Sequence, residues 1–376
     1  MGIIEKEKNM AEKKNVKLFL ELFFGTILIH WLVVILSYWL LGKDGNIFVD
    51  FYNKFTETGD TPHYMYIAEN WYASSGEKAN LIVFYPLFPL LMKIVGFLVR
   101  DYFVAGVLIS NVCMGISGYY MYRLAKEELG ASKAMDSFII YALYPFGAFM
   151  VLVFTEGLSM MLVIMCLYYI RKKKWAVAGI LGLLASLSKS QGIALLVPAV
   201  YEAIIYMKNK KKFDIKTLSV FLIPCGTLMY LLINKLVLGD FLAFAKYESE
   251  APWYNTSNWI ADNISQQFGM GMTNYTLALE IYWIQIFLYF ALIILLLYGL
   301  KKKVPAYLIA FGGAHIFLSF LHGWLISGPR YMMGCVTMYI VYAVIDNKYV
   351  KGIIALLFGL LAVFYTVGLW QGQAIM

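Results

Sequence analysis

Long apolar runs alternate with short polar segments along most of the chain. The runs hold about 17–25 residues, enough for an α-helix to cross a hydrocarbon layer of about 30 Å. Their apolar residues are continuous rather than alternating, which favours helices over membrane strands. We therefore predict an all-α, polytopic transmembrane helical bundle of about eleven spans, near 18–41, 103–125, 137–154, 157–170, 175–188, 191–207, 217–237, 279–300, 304–324, 330–345 and 350–370.

Three apolar segments depart from this simple pattern. The runs 157–170 and 175–188 are short, so we expect tilted helices in a hairpin or one distorted helix. The run 84–99 is interrupted by two prolines and by Lys93. We predict that it forms a helix lying in the membrane interface instead of crossing the membrane.

Basic residues give the predicted spans an orientation. Most of the 31 lysines and arginines lie in six short segments, 1–17, 123–136, 171–174, 208–216, 301–303 and 346–351. The positive-inside rule places these segments in the cytoplasm. We therefore expect one integral membrane domain over residues 1–376, with two large extracytoplasmic segments, 42–102 and 238–278. The first of them would carry the interfacial helices.

The composition supports a membrane protein and argues against nucleic-acid binding, disulfides and a zinc site. The chain is 61% hydrophobic and 14% charged, against roughly 45–50% and about 25% in soluble domains. The net charge of +8 resides in clusters between the runs, which indicates membrane orientation and argues against nucleic-acid binding. The four cysteines lie in apolar runs without CxxC spacing, which argues against disulfides or a zinc site. The first apolar run exceeds a signal-peptide core and is predicted to be a retained span.

Several polar residues are expected at the extracytoplasmic ends of the spans, namely Asp60, His63, Glu156, Lys189, Gln191 and Arg330. A charge at mid-membrane depth costs about 2.5–3.5 kcal/mol on insertion scales, so such residues need partners or a function. Asp60 has two interpretations. Its carboxylate can act as a general base, or Asp60 and Thr61 can cap a helix that begins at Pro62.

The other polar residues also have more than one interpretation. Glu156 fits a functional carboxylate or a helix cap. Lys189 and Arg330 fit ligands of a phosphate or pyrophosphate, or side chains that snorkel toward lipid headgroups. His63 fits proton transfer, a hydrogen bond to a sugar, or a structural hydrogen bond. Trp253, in an outer segment rich in aromatic and amide side chains, fits carbohydrate contact or an interfacial aromatic belt.

Several motifs that are typical of nucleotide-binding and metal-dependent enzymes are missing from the sequence. The chain lacks the glycine-rich nucleotide-binding motifs, the H-E-x-x-H motif and any D-x-D pair, so a soluble nucleotide donor used in the cytoplasm is not expected. His30, His315 and His322 show no metal-ligand spacing, and we interpret them as helix-packing or interfacial residues. No metal site is predicted.

Ordered motifs carry a resemblance to a known family. Gly59-Asp60-Thr61-Pro62-His63-Tyr64 with Ile67-Ala68 is similar to a W-D-x-x-x-Y-x-x-I-A segment, and Phe84-Tyr85-Pro86-Leu87-Phe88-Pro89 to an F-F-P-L-Y-P block. Further blocks are Thr155-Glu156-Gly157-Leu158, Ser188-Lys189-Ser190-Gln191-Gly192 and Pro329-Arg330-Tyr331. In order and spacing they resemble the PIG-V-type mannosyltransferases of the GT-C superfamily of membrane glycosyltransferases. The likeness is continuous to about residue 202 and patchier beyond, and it departs at Gly59, where the family usually has Trp, and at Lys189, where Arg is common.

The resemblance implies a GT-C-like fold and an inverting glycosyltransferase. The enzyme would move a hexose, mannose first of all, from a polyprenyl-phosphate-sugar donor to a hydroxyl of a glycan or glycolipid outside the cytoplasm. Asp60 would be the general base, with Glu156 supporting the acceptor and His63 as a further catalytic candidate. The candidates for substrate contact are Lys189, Gln191, Arg330, Tyr331, Tyr64 and Trp253, with Lys189 and Arg330 on the donor phosphate.

This scheme also predicts the cofactors and the cellular site. The leaving group is already a stable phosphate anion, so no cofactor is required, although a divalent ion that bridges Asp60 and Glu156 stays an alternative. The short chain favours a multi-pass protein of a bacterial plasma membrane over a eukaryotic enzyme of the endoplasmic reticulum. The competing function is a transporter or flippase of lipid-linked sugars. Polar residues concentrated on one face favour an enzyme.

Overall fold

The protein is all-helical, as predicted. The computed structural model describes residues 2–274, 282–322 and 327–373. It is 80% helical, with no β-strand in those three ranges. The all-α class predicted from the continuous apolar runs is therefore confirmed.

The helices are of very unequal length. The α-helices of the N-terminal half are α1 (Gly2–Leu40), α2 (Ile47–Phe55), α3 (Thr61–Asn70), α4 (Leu87–Val99), α5 (Tyr102–Leu129), α6 (Ala131–Ala142), α7 (Glu156–Arg171) and α8 (Trp175–Ser188). Those of the C-terminal half are α9 (Leu196–Lys210), α10 (Ile223–Leu238), α11 (Ala243–Ser249), α12 (Ile260–Thr273), α13 (Ile284–Lys301), α14 (Ala306–Phe320), α15 (Gly328–Met332), α16 (Val336–Ala343) and α17 (Lys348–Gln371). Short 3-10 helices lie at Glu77–Val83, Gly147–Met150, Ser190–Leu195 and Ile215–Leu222.

Several helices can cross a membrane. Among the described residues, five are long and apolar enough, at Lys13–Leu40, Tyr102–Leu129, Ser190–Lys210, Ile215–Leu238 and Lys348–Gln371. On α1, a row of exposed apolar side chains follows one face at every fourth residue, namely Phe24, Leu28, Leu32 and Leu36. Such a row suits contact with lipid tails. The polytopic architecture is thus confirmed.

Among the described residues, fewer unbroken helices are long enough to cross a membrane than the eleven spans predicted. The run 137–154 is divided, because α6 ends at Ala142 and Pro145 cannot continue a helical hydrogen-bond ladder. The run 330–345 is divided between α15 and α16. The start of the run 279–300 lies outside the described residues. Helix length alone therefore supports five spans, while α8, α13 and α14 form shorter apolar helices.

The predicted interfacial helix has a sharp bend at its start. The 3-10 helix Glu77–Val83 and α4 meet at an angle of 110°, a geometry that fits a broken span or a re-entrant loop. The exposed fraction reaches 84% at Phe97 and 75% at Leu98. The apolar end of α4 therefore suits contact with lipid, and its position in the interface stays a prediction.

Small residues let the central helices approach closely. A Cβ atom on Gly118 of α5 would lie 2.0 Å from the Thr26 hydroxyl oxygen of α1. A Cβ on Gly226 of α10 would lie 2.1 Å from the Leu183 carbonyl oxygen of α8. Close backbone approach of this kind is a common basis of helix association in membranes. The buried apolar side chains form one cluster that runs from Leu22 to Trp370, although the division of the chain into domains stays a prediction.

Candidate functional site

Segments distant in sequence meet around a single cavity of about 430 Å³. The start of α3, the turn after α8 and the helix α15 supply Asp60, Lys189 and Arg330 to its lining. A volume of a few hundred Å³ is typical of sites for small molecules. Five of the six polar residues expected at the span ends, Asp60, His63, Lys189, Gln191 and Arg330, line this cavity, while the side of the membrane that it faces stays a prediction.

Asp60 occupies the N-cap position of α3, but its side chain does not cap the helix. It precedes α3, but its carboxylate makes no hydrogen bond to the described first turn of that helix. Instead, Asp60 Oδ2 accepts a hydrogen bond of 2.7 Å from Arg330 Nη2. The side chain keeps an exposed fraction of 20% and lines the cavity. Of the two interpretations of Asp60, the geometry therefore favours a carboxylate directed to a site.

The residue before Asp60 also explains a departure from the family pattern. Gly59 has a φ of 59°, in the left-handed region. Glycine adopts that conformation without the steric penalty that other residues pay. The chain reaches Asp60 through a turn that favours glycine.

Glu156 lies behind the cavity and holds two cations. It is the first residue of α7, and its side chain is only 1% exposed. Glu156 Oε1 accepts hydrogen bonds from Lys189 Nζ at 2.7 Å and from Arg330 Nε at 2.5 Å. Burial alone would raise the pKa of Glu156, but the charges of Arg330 and Lys189 outweigh it and lower that pKa to about 2. Glu156 is therefore a permanent anion that positions both cations.

Arg330 is the centre of this network. It is buried, and its guanidinium lies over the rings of Phe149 and Phe154 at 5.1 and 4.7 Å from the ring centroids. Cation–π contact and the two carboxylates together fix the plane of the guanidinium. The group carries further N–H donors beyond those used on Asp60 and Glu156. Those donors can bind an anion in the cavity.

Lys189 completes the cationic part of the cavity. It follows α8 in an extended conformation, and its side chain is 16% exposed. Its ammonium lies 5.0 Å from the centroid of the Tyr331 ring, so this predicted contact residue is part of the same wall. Gln191 is buried beside Lys189 and also lines the cavity. A snorkelling role toward solvent is not what the structure shows for Lys189 or Arg330.

Aromatic side chains form another wall of the cavity. His63 is half-buried, and its ring lies 5.3 Å from the rings of both Phe84 and Trp253. Burial lowers the pKa of His63, with Asp60 opposing and Lys78 assisting that shift. Tyr64 is buried against Phe84 with a ring distance of 5.0 Å. Whether His63 transfers a proton stays a prediction, and the geometry favours a neutral ring in this wall.

The cavity lining also contains residues that were not candidates from the sequence, among them Glu248, Asn255 and His322. Glu248 and Asn255 come from the outer segment 238–278, and His322 follows α14. The interpretation of His322 as a packing residue is incomplete, because its ring lines the cavity. The combination of a carboxylate with amides and aromatic residues in one outer loop is the signal that could have identified Glu248 and Asn255.

The carboxylates of Asp60 and Glu156 are both paired with Arg330. Arg330 bonds to both Asp60 and Glu156, so a guanidinium occupies the position that a bridging divalent ion would take. Within the part of the chain that the structure describes, no group of three His, Cys, Asp or Glu side chains could hold a metal ion. The expectation that catalysis requires no metal stays a prediction.

Comparison with known proteins gives one family. The model of the dolichyl-phosphate-mannose-protein mannosyltransferase family matches residues 85–230. No curated protein matches the chain. The matched segment contains Glu156, Lys189 and Gln191, while Asp60 and Arg330 lie outside it. Together with the apolar helices, this match supports a membrane glycosyltransferase of the GT-C superfamily.

Proposed function

We propose that the protein is an inverting hexosyltransferase of the PIG-V type, with polyprenyl-phosphate-mannose as donor. The family that matches the chain carries a dolichyl-phosphate-mannose donor in its name, which supports this class of substrate. The observation that carries the proposal is the cavity itself. The Asp60 carboxylate lines it together with Arg330 and Lys189, two cations that can bind a phosphate.

The charges suit the two ends of the reaction. Asp60 accepts the proton of the acceptor hydroxyl, whose oxygen attacks the anomeric carbon of the hexose. The bond between that carbon and the phosphate oxygen breaks, and the electron pair leaves with the polyprenyl phosphate. Arg330 and Lys189 stabilise the charge that develops on this leaving group. Attack opposite the leaving group inverts the anomeric configuration.

Glu156 acts on this reaction through the two cations. Its buried carboxylate fixes Arg330 and Lys189 at 2.5 and 2.7 Å, respectively. Fixed charges cost no reorganisation when the phosphate leaves. We therefore assign Glu156 to positioning the phosphate ligands rather than to direct contact with the acceptor. The acceptor would enter from the extracytoplasmic side, and a bacterial plasma membrane remains our proposed location.

The change Asp60→Asn tests the base. We expect turnover to fall by about 10²–10⁴-fold, the usual value of general-base assistance. The amide keeps the shape of the side chain but removes one of the two carboxylates that pair with Arg330, so the melting temperature should fall while Glu156 still holds the guanidinium and the chain stays folded. The measurement is release of polyprenyl phosphate from polyprenyl-phosphate-mannose by the purified full chain, with a membrane extract as the source of acceptor.

A matched variant and a panel of donors complete this experiment. Glu57→Gln neutralises an exposed carboxylate in the same loop and should leave turnover unchanged. Wild-type turnover in Asp60→Asn would reject Asp60 as the base. Donors carrying glucose and other hexoses would define the sugar. Transport of the lipid without release of polyprenyl phosphate would favour the alternative of a flippase.

A further inference from the structure

A second polar cluster in the cavity consists of Glu248, Asn255 and His322, and we call it the Glu248 cluster. Asn255 Nδ2 donates a hydrogen bond of 3.0 Å to Glu248 Oε1, and it lies 3.4 Å from His322 Nδ1. The backbone fixes the same arrangement, because Asn255 N–H donates to the Glu248 carbonyl at 2.7 Å. The cluster is therefore a built feature of the cavity wall rather than a set of loose loop side chains.

The Glu248 cluster lies beside the cationic part of the cavity. Tyr331 contacts both: the Lys189 ammonium lies over its ring, and the His322 ring is 5.7 Å away. The rings of Trp253 and Phe84 line the same cavity. A ligand anchored on Arg330 and Lys189 can therefore extend past Tyr331 to Glu248.

The side chains of the Glu248 cluster do not suit the binding of a second phosphate. Glu248 would repel an anion, and the nearest ring nitrogen, His322 Nδ1, is 4.0 Å from its carboxylate oxygen. A carboxylate, an amide and an imidazole next to aromatic faces are instead suited to neutral groups that both donate and accept hydrogen bonds. Sugar hydroxyls have this property, and aromatic rings can pack on the apolar faces of a sugar.

The environment of Glu248 agrees with such a ligand. Its side chain is 27% exposed. Burial raises the pKa of Glu248 to about 7, although the hydrogen bond from Asn255 opposes the shift. The carboxylate is thus partly shielded from water, and among the described residues no lysine or arginine forms an ion pair with it. A hydroxyl that donates to it would restore the lost hydrogen bonding.

We propose that Glu248, Asn255 and His322 form a subsite that binds hydroxyls of a hexose. The inference rests on the proposed function, since it assigns the sugar-recognition part of the same cavity. The hydroxyls can belong to the hexose of the donor or to the acceptor sugar. The chemistry is the same in both cases, and the experiment below separates the two sources.

The test compares ligands with and without a sugar on the full-length protein. Binding of polyprenyl phosphate, of polyprenyl-phosphate-mannose and of methyl α-mannoside is measured for the wild type and for Glu248→Gln. We expect Glu248→Gln to weaken binding of polyprenyl-phosphate-mannose about tenfold or more, the effect of losing a hydrogen bond to a charged group. Binding of polyprenyl phosphate without a sugar should not change. Arg330→Lys should weaken the binding of both polyprenyl phosphate and polyprenyl-phosphate-mannose.

The remaining outcomes decide the source of the hydroxyls. If Glu248→Gln changes only binding of methyl α-mannoside, the subsite holds the acceptor sugar, which supports the proposal in its second form. If it changes none of the three ligands, the proposal is wrong. If the wild type binds neither lipid, the proposed function fails, while methyl α-mannoside still tests the subsite.

Two further variants guard the interpretation. Glu250→Gln removes an exposed carboxylate two residues after Glu248 and should leave the binding of all three ligands unchanged. Should Glu248→Gln fail to fold, His322→Gln tests the same cluster from another segment of the chain. We expect the same loss for the sugar-bearing ligand, and an unchanged affinity in His322→Gln would overturn the subsite.

Discussion

At the scale of single residues, the site depends on one arginine held by two carboxylates. Arg330 is buried, and its partners Asp60 and Glu156 come from widely separated segments. Buried ion pairs add little to stability compared with apolar packing, yet removal of one partner leaves an unpaired charge and typically costs about 3–5 kcal/mol. Stability alone therefore gives little reason for this network, which agrees with the phosphate-binding role that we propose for Arg330.

Arg330→Ala and Arg330→Lys separate the charge of this residue from its shape. We expect Arg330→Ala to raise the apparent KM for the donor by about tenfold or more, with a smaller change in turnover at saturation. It should also lower the melting temperature, because Asp60 and Glu156 lose their partner. Arg330→Lys keeps the charge but loses the forked donor geometry, so it should recover stability better than donor affinity.

The control for these variants is Arg123→Lys. Arg123 is half-buried and bonds to the hydroxyls of Tyr119 and Tyr168, but it does not line the cavity. Its replacement should leave the KM for the donor unchanged. An unaltered donor KM in Arg330→Ala would contradict the phosphate role of Arg330.

The sequence identified the charged residues but not their contacts. Asp60, Lys189 and Arg330 stand out because charges near predicted span ends need a reason. Local sequence could not decide between a cap and a base at Asp60, since that choice depends on Arg330, 270 residues away. Glu248 could not be separated from the exposed Glu250, because only the fold shows which of the two carboxylates faces a cavity.

At the scale of elements, the turn between α8 and α9 sets the position of Lys189. It continues into the 3-10 helix Ser190–Leu195, which packs on the end of α8. A Cβ atom on Gly192 would lie 2.3 Å from the Ala185 carbonyl carbon. That neighbour is backbone, so a side chain at residue 192 must displace the turn itself.

Gly192→Ala is therefore expected to disturb the site without removing any charge. The displaced turn should weaken donor binding several-fold and lower the melting temperature, because backbone cannot rotate away from the added methyl group. Donor binding and thermal unfolding measure the two effects. Gly313→Ala is the matched control, since a Cβ there meets nothing within 4 Å. Equal behaviour of the two variants would show that this turn is not tightly constrained.

Element prediction succeeded where the apolar runs were uninterrupted. The expected span 350–370 falls within α17, and the span 18–41 ends one residue beyond α1. It failed where irregular backbone interrupts a run, as between α6 and α7, because hydropathy does not show where backbone hydrogen bonding changes. Those same interruptions place Glu156 at the start of a helix, next to the cavity.

At the scale of the whole molecule, ion pairs also mark the end predicted to be cytoplasmic. Arg171 bonds to the buried Glu128 at 2.7 Å, and Lys172 to Glu127 at 2.6 Å. Lys302 pairs with Asp346, which joins two other predicted cytoplasmic segments. The predicted cytoplasmic segments are thus paired with one another, while the orientation expected from the positive-inside rule and the sidedness of the cavity remain predictions.

Cysteine labelling in intact cells tests that orientation. Ser74→Cys and Lys212→Cys place single thiols at exposed positions on opposite predicted sides. A maleimide that cannot cross membranes should label Ser74→Cys in intact cells and Lys212→Cys only after permeabilisation. Cys225 is replaced by Ser in both variants, because the other three cysteines are buried. The reverse labelling pattern would place the cavity in the cytoplasm.

The ion-pair network around Arg330 has a consequence for chimeric proteins. The segment that matches a known family, residues 85–230, contains Glu156 and Lys189 but neither Asp60 nor Arg330. A graft of that segment into a relative would transplant the ion pair of Glu156 and Lys189 without Asp60 and Arg330. The recipient scaffold would have to provide both missing members in register, so crossover points should be chosen outside residues 60–330.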